Sequence, residues 1–292
     1  NVLPDFLKST LLIFTGRRSF NNLFNDYNIK FLPETENVLL EFKKFKTSFN
    51  KNKSSTFFIE TYDDKLILAS KSGQFFIANI RDLESGSLKK INKKIKTNRI
   101  NKEQNISIND ILIVKDEIYV LQVTKNTECN KLEIYNSKID IDLNLKIFKS
   151  FEECVGSSLP AGGMEEYFHN NKKGIIISTA NGENNILKSK AQNDDSIQGK
   201  ILFVAYENKK VEIISKGHRN PQGLAVKDNL ILSTEHGPKG GDEINKIIYG
   251  KNYGWPIVSY GQAYKGENNV KFLSSHQDNG FQEPIYVFLS AI

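Results

Sequence analysis

The nine-residue stretch LIVKDEIYV, residues 112–120, returns later in the chain as LAVKDNLIL, residues 224–232. Each copy consists of two short apolar segments joined by Lys-Asp, which is the composition of a tight hairpin turn. Looser copies occur elsewhere, and one aliphatic residue is taken as equivalent in each copy: Leu66, Ile118, Ile175 and Leu230. The steps between these positions are 52, 57 and 55 residues, so the chain repeats a unit of about 55 residues.

Each repeat has the pattern of a small antiparallel meander. Residues 56–60, 65–70 and 74–80, for example, are rich in strand formers and are separated by Asp-Asp and Lys-Ser-Gly turns. A meander of this size cannot cover both of its faces, so repeated meanders stack radially, as in a β-propeller. The sequence therefore predicts an all-β protein. The alternative is a β-sandwich in which two hairpins resemble each other by accident.

The repeat also predicts where the blades begin and end. Residues 1–54 do not follow it and are predicted to be an N-terminal leader and linker, and residues 55–292 are predicted to be a partial propeller. The predicted blades lie near residues 55–104, 105–157, 158–210 and 211–265, with the start of a fifth at 266–292.

Composition argues against two classes of partner. The 40 Lys and Arg exceed the 34 Asp and Glu by a formal charge of +6, but the lysines are scattered among acidic residues and Asn. This distribution favours a solvated surface over a nucleic-acid site. No apolar run approaches the ~20 residues that span a bilayer. We therefore expect neither a nucleic-acid partner nor a membrane span.

The two cysteines allow two interpretations. Cys129 and Cys154 flank a pair of predicted strands, residues 132–135 and 143–148. A disulfide between them would clasp neighbouring strands in an oxidising compartment. The alternative is two unrelated free thiols. No signal peptide is recognisable in the sequence as printed, which opens at Asn1.

The residues suited to chemistry concentrate between positions 217 and 266. This segment holds nine of the nineteen glycines, three of the seven prolines, two of the four histidines and the single tryptophan. It also contains Arg219, the one arginine after Arg99 in a chain that otherwise uses lysine. The planar fork of arginine grips a carboxylate in a way that an ammonium cannot. The segment is therefore the candidate site.

Three motifs in this segment resemble a known family. They are GHRNPQGL at 217–224, EHGPKGGDEIN at 235–245, and KNYGWP followed by SYG between 251 and 261. In this order and at this spacing they resemble the signature of the soluble sugar dehydrogenases that use pyrroloquinoline quinone (PQQ). A weaker likeness extends from Ala191-Gln192 to Pro284. The resemblance implies a six-bladed propeller, of which this chain would supply about four blades and the start of a fifth.

The resemblance also implies cofactors and their ligands. PQQ is a flat tricarboxylate, and Ca²⁺ is a hard cation that takes oxygen ligands. By resemblance, Arg219 and Asn220 would bind the PQQ. The carbonyls of Gly237 and Pro238 would face a cofactor-linked Ca²⁺, while Glu243 and the Tyr253 carbonyl would hold a second Ca²⁺.

The proton-transfer residues of the family are missing. The resemblance implies a histidine at or just before residues 161–163, where this chain has Ala-Gly-Gly, and an aspartate where it has Asn181. Amides do not act as general bases near neutral pH. The nearby His169 is predicted to be a solvated loop residue.

Two other histidines lie in the motifs. His218 is predicted to stabilise its loop through its ring nitrogens. His236, next to the expected Ca²⁺ carbonyls, remains as the candidate catalytic residue.

Three functions follow from these observations. The first is a PQQ-dependent oxidoreductase acting on an aldose or similar alcohol, with a soluble electron acceptor and a periplasmic or secreted location. The second is a propeller that binds PQQ or carbohydrate without catalysis, which the missing His and Asp favour. The third, a Ca²⁺-dependent lactonase, has no specific motif in this sequence.

Overall fold

The computed structural model describes residues 56–80, 93–97, 105–125, 127–140, 142–156, 161–182, 186–264, 271–273 and 275–288. These residues form four sheets, antiparallel except for one short parallel pair, which confirms the all-β prediction. The predicted leader, residues 1–54, lies outside the described residues. No helix among the described residues is long and apolar enough to cross a membrane.

The first two sheets come from the N-terminal part of the described residues. The first sheet consists of β1 (Phe57–Tyr62), β2 (Lys65–Ser70), β3 (Phe75–Asn79) and β4 (Lys93–Thr97), with the short β8 (Asp142–Leu143) parallel to β4. The second consists of β5 (Asn105–Val114), β6 (Glu117–Lys125), β7 (Asn130–Lys138) and β9 (Lys146–Val155).

The third and fourth sheets follow the same meander order. The third consists of β10 (Ala161–His169), β11 (Lys172–Thr179), β12 (Lys200–Ala205) and β13 (Val211–Lys216). The fourth consists of β14 (Pro221–Lys227), β15 (Leu230–Glu235), β16 (Asp242–Lys246) and β17 (Tyr286–Phe288). The first strands β1, β5, β10 and β14 contact one another in turn, so the sheets are four blades around a common axis.

The core lies between blades. Side chains alternate across β6: Ile118 and Val120 pack toward the first blade, while Tyr119 and Leu121 pack toward the third. Because a neighbouring blade covers each face, the inner strands are almost continuously apolar instead of alternating with polar residues. This burial of both faces is the physical basis of the repeat seen in the sequence.

The register of the repeat differs from the sequence match by one residue. The first hairpin turns at Lys115-Asp116 and the second at Asp228-Asn229, so the two copies are offset. Lys115 and Asp228 each have a positive φ, 56° and 54°, as two-residue hairpin turns require. The residue equivalent to Ile118 is therefore Ile231, not Leu230, and both face the preceding blade.

Two predicted blade boundaries are also corrected. Residues 211–216 form β13, the outer strand of the third blade, and do not open the fourth. Residues 286–288 form β17, which pairs with β16 as the outer strand of the fourth blade and does not start a fifth. The cause is the connection over residues 247–285, which delays the last strand of the fourth blade beyond the regular period.

The disulfide interpretation of the cysteines is confirmed. Cys129 and Cys154 are bonded across the β7–β9 pair, with Cα atoms 5.1 Å apart. The bridge closes the open end of the two outer strands of the second blade. It lies next to Glu153, which contacts the third blade.

Three half-buried carboxyls lie on the first strands of consecutive blades: Glu60 on β1, Asp110 on β5 and Glu165 on β10. Burial raises the pKa of Glu60 to about 7 and, together with the charge of Glu60, raises the pKa of Glu165 to about 8. Burial also raises the pKa of Asp110, which accepts hydrogen bonds from the Met164 and Ile111 amides. These groups are protonated more readily in the folded chain than in the unfolded chain.

We expect the free energy of unfolding to fall as the pH rises from about 5 to about 8, because the folded protein binds more protons than the unfolded chain in this range. Glu165→Gln should reduce that fall by about 3 kcal/mol, since the amide stays neutral at every pH. Urea titrations at several pH values measure this. The exposed neighbour Glu166 provides the control: Glu166→Gln should leave the pH dependence as it is, and an equal effect of both variants would contradict the assignment.

Candidate active site

Three connections between strands meet at one end of the third and fourth blades. Because successive strands are antiparallel, the described residues of the connections at 180–182 and 186–199, at 217–220 and at 236–241 all lie at the same end of their sheets. Hydrogen bonds join them: the Asn181 amide donates to the Arg219 carbonyl (2.7 Å), and the His236 amide donates to the Asn220 carbonyl (3.1 Å). Most of the residues predicted for the site are therefore brought together.

A small pocket, partly open to solvent, lies where these connections meet residues 253–259 and His276. Five of the seven predicted site residues line it: Arg219, His236, Gly237, Glu243 and Tyr253. The other lining residues are Gly217, Glu235, Trp255, Val258, Ser259 and His276. Asn220 and Pro238 lie in the same loops but do not line the pocket.

Hydrogen bonds hold both the backbone and the side chain of Arg219. Its backbone amide donates to the Glu235 carboxylate, and its Nη1 donates to the carbonyls of His236 (2.9 Å) and Gly237 (2.7 Å). The guanidinium carbon lies 5.4 Å from the centre of the Trp255 ring, within the range of a cation–π contact. The result is a cation at the pocket with a fixed orientation.

Asn220 makes its hydrogen bonds within the loop and does not line the pocket. Its Oδ1 accepts a hydrogen bond from Gln222 Nε2 (3.1 Å), and its carbonyl accepts from the His236 amide. Asn220 thus helps to position the loop that carries His236.

The loop of residues 236–241 is compact. The Gly237 amide donates to Asp242 Oδ1 (2.8 Å), and His236 Nδ1 lies 3.4 Å from Asp242 Oδ2. A Cβ at Gly237 would come within 2.2 Å of the Gly240 carbonyl oxygen, so this turn requires glycine. The His236 side chain remains 40% exposed, with one ring nitrogen toward a buried carboxylate and the other free to meet a ligand.

His218 is buried and fully partnered, which confirms its predicted role in the loop. One ring nitrogen bonds to Ser215 Oγ (2.8 Å) and the other to Glu235 Oε2 (2.9 Å). Its ring stacks on Tyr253, with centroids 4.6 Å apart. Because neither nitrogen is left for a ligand, His218 is structural.

Glu243 is a buried carboxyl at the pocket wall. Burial, and then the nearby charge of Glu235, raise its pKa to about 8. Asn245 Nδ2 donates to Glu243 Oε2 (3.2 Å), and His276 Nε2 lies 4.0 Å from its other oxygen. Its environment therefore favours the protonated, neutral form of the carboxyl.

Glu235, Ser259 and His276 line the pocket without having been predicted. Glu235 and Ser259 belong to the quoted motifs, but the sequence does not show that their side chains point into the pocket. His276 lies outside every motif and reaches the pocket through the long connection before β17. It is 1% exposed, and its Nδ1 has no hydrogen-bond partner among the described residues. The sequence offers no signal for it.

The comparison with known families settles the relationship. A sequence profile of the family described as "Glucose / Sorbosone dehydrogenase" matches residues 63–292, more than half of the chain. The chain belongs to this family. The resemblance stated from the three motifs is thereby confirmed.

Individual members of this and related groups match parts of the chain. It is 42% identical over 109 residues to the aldose sugar dehydrogenase YliI of Escherichia coli (strain K12), covering 32% of this chain and 29% of that protein. It is 48% identical over 63 residues to quinoprotein glucose dehydrogenase B of Acinetobacter calcoaceticus, covering 21% of this chain and 13% of that protein. The matched stretches thus span less than a third of either relative.

A solved structure shares the fold. The PQQ-bound form of an aldose sugar dehydrogenase from Streptomyces coelicolor aligns with a TM-score of 0.56, over 84% of this chain and 70% of that one. Its sequence identity is 19%, so the likeness concerns the fold alone.

Within the glucose/sorbosone dehydrogenase family, the chain departs where the resemblance implied a histidine. A Cβ at Gly162 would lie 2.1 Å from the Pro221 carbonyl oxygen and 2.2 Å from Ser178 Oγ. No side chain fits there unless β10 and β14 move apart. The expected aspartate is replaced by Asn181, which is buried and accepts hydrogen bonds from Ser189 Oγ (2.6 Å) and the Lys190 amide (3.2 Å).

The prediction for His169 is wrong. This residue ends β10, is 8% exposed, and packs its ring against Tyr249 and Phe203. Its Nε2 lies 3.6 Å from the Glu212 carboxylate. The sequence placed it in a polar turn, but the long connection after β16 brings Tyr249 over it.

We expect Glu235→Ala to lower the free energy of unfolding by about 3 kcal/mol, because it leaves the buried His218 ring and the Arg219 amide without their acceptor. Urea unfolding measures this loss. Glu207→Ala, which removes an exposed carboxylate from the third blade, should change the stability by less than about 0.5 kcal/mol. Similar effects of the two variants would show that Glu235 does not hold the site.

Proposed function

We propose that this protein oxidises the CH–OH group of an aldose sugar or a similar alcohol, with PQQ as its cofactor. The observation that carries the proposal is the convergence of Arg219, His236, Gly237 and Glu243 on one pocket, in a chain of the glucose/sorbosone dehydrogenase family. The name of one partial relative, an aldose sugar dehydrogenase, supports the substrate class. The name of another, a quinoprotein, supports the cofactor.

Arg219 and Asn220 are the residues that we assign to PQQ. The guanidinium is oriented by two carbonyl oxygens and by Trp255, so little conformational entropy is lost when it binds an anion. Its Nη2 makes a long 3.4 Å contact with the Tyr264 hydroxyl, which a cofactor carboxylate could replace. Asn220 would supply an amide after a change of side-chain rotamer.

Calcium fits the donors around the pocket. The Glu243 carboxyl lies near Glu235, and a divalent cation would offset the burial and the repulsion that raise its pKa. Among the described residues no group of three or more His, Cys, Asp or Glu side chains could hold a metal, so backbone carbonyls would complete the shell. We assign this role to the carbonyls of Gly237, Pro238 and Tyr253. When bound, Ca²⁺ would polarise the quinone and PQQ would accept the hydride.

His236 is the residue that we assign to proton removal. Its Nδ1 faces Asp242, which leaves Nε2 to accept the proton of the substrate hydroxyl. Asp242 would hold the ring in position and stabilise the imidazolium that forms. The exposure of the side chain at the pocket supports access to a substrate.

A second candidate function is a propeller that binds PQQ or carbohydrate without turnover. The crowding at Gly162 and the replacement by Asn181 favour it, because the two groups expected for proton transfer are absent from their family positions. If this propeller binds PQQ, the two functions share the cofactor site and differ only in turnover; if it binds carbohydrate alone, they also differ in the cofactor.

The disulfide supports an oxidising location. Disulfides persist in the periplasm and outside the cell and are rare in the cytosol. We therefore propose a periplasmic or secreted protein that passes its electrons to a soluble acceptor.

Titration of the protein with PQQ in the presence of CaCl₂ should show saturable binding, and EDTA should weaken it. Arg219→Lys keeps the charge but loses the fork, so we expect at least a tenfold higher Kd. The exposed Lys239 gives the control: Lys239→Ala should bind within about twofold of the unaltered protein. Absence of PQQ binding by the unaltered protein would refute the proposal.

Dye-linked oxidation of a panel of aldoses distinguishes the two functions. If His236 removes the proton, His236→Asn should still bind PQQ but lose about 10²- to 10⁴-fold in kcat. PQQ binding by the unaltered protein without oxidation of any sugar would favour the non-catalytic alternative.

A further inference from the structure

A carboxylate of the second blade accepts hydrogen bonds from the connection between β11 and β12, which supports the pocket. Glu153, near the end of β9, accepts hydrogen bonds from Lys190 Nζ (3.0 Å), Ser196 Oγ (2.9 Å), the Ile197 amide (2.7 Å) and Gln198 Nε2 (2.9 Å). Burial opposes ionisation of Glu153, but these donors outweigh burial and lower its pKa. All four donors belong to the connection between β11 and β12.

The same connection contacts the pocket wall on its other side. Gln192 and Asn252 exchange hydrogen bonds of 3.1 and 2.6 Å between their amides, and Gln192 Nε2 also donates to the Trp255 carbonyl (2.7 Å). The Ala191 carbonyl accepts from the Gly217 amide (3.0 Å). Trp255 and Gly217 line the pocket, whereas Gln192 and Ala191 do not.

Hydrogen bonds within this connection join the part that contacts Glu153 to the part that contacts the pocket wall. A displacement of one part is therefore transmitted to the other. The ammonium of Lys200, a residue with 0% exposure, donates to the carbonyls of Lys190 (3.1 Å), Ala191 (3.0 Å) and Gln198 (2.7 Å). Apolar contacts add to this, because Ala191 belongs to the same buried cluster as Trp255. The segment between Glu153 and the pocket is therefore packed throughout.

We propose that Glu153 is a positioning residue for the pocket: through residues 190–198 it fixes Trp255, and with it the orientation of Arg219. Glu153 does not line the pocket. Its effect on the cofactor rests on the proposed function, but its effect on Trp255 does not.

The single tryptophan of the chain makes the proposal testable without any ligand. Glu153→Gln replaces a carboxylate that faces four donors with an amide that is itself partly a donor. We expect a red-shifted Trp255 emission and stronger quenching by acrylamide, with unchanged far-UV circular dichroism. The adjacent Glu152 is a matched control because its side chain is 96% exposed, and Glu152→Gln should leave the emission unchanged.

Two further variants test the path itself. Gln192→Leu should reproduce the change in Trp255 emission, and the double variant with Glu153→Gln should add little to either single change, since both act through one segment. If Glu153→Gln does not fold, Ser196→Ala removes one of the donors and should give a smaller change of the same kind. Unchanged Trp255 emission in the folded variants would overturn the proposal.

The PQQ titration then separates this inference from the proposed function. We expect Glu153→Gln to raise the Kd for PQQ about tenfold, and Glu152→Gln to leave it unchanged. If the unaltered protein does not bind PQQ, the function proposal fails while the emission test of Glu153 stands. If PQQ binds equally well to both variants although Trp255 has moved, Glu153 does not position the cofactor site and the inference fails.

Discussion

The second and third blades of this protein each have two apolar faces, and each face is buried against a neighbouring blade. The side chains of β6 show the constraint: Ile118 and Val120 enter one interblade core, and Tyr119 and Leu121 enter the next. Radial stacking satisfies both faces, and antiparallel order then brings alternate connections to the same end of the ring. Connections carry function when a rigid scaffold positions them, and here three of them meet above the third and fourth blades.

Within the site, one buried carboxylate performs several structural tasks at once. Glu235 accepts from the His218 ring, from the Arg219 amide and from Asn245. It thus joins the connection before β14 to the end of β15 and to β16. The conspicuous histidine of the first motif serves this network, which leaves the exposed His236 as the motif histidine with a ring nitrogen available to a ligand.

Gly162 and Asn181, which stand where the resemblance implied a histidine and an aspartate, affect the packing of the site as well as its chemistry. Gly162 lies against the Pro221 carbonyl, so the third and fourth blades approach more closely than a side chain would allow. Asn181 belongs to the connection that also contains Gln192, and its backbone amide donates a hydrogen bond to the Arg219 carbonyl. The region where the resemblance implied proton transfer instead supports the pocket.

The sequence alone determined the repeat, the all-β class, the family and five of the residues that line the pocket, because strand periodicity, turn residues and compact motifs are local properties. It assigned Arg219, His236 and Glu243 to one site, and the structure brings them together. It could not determine the one-residue offset that makes Ile231 equivalent to Ile118, because a strand pattern reads equally well from either face until neighbouring blades cover it. Only the tertiary structure decided the burial of His169, the entry of His276 into the pocket and the grip of Glu153 on the neighbouring blade, because each depends on contacts between segments that are distant along the chain.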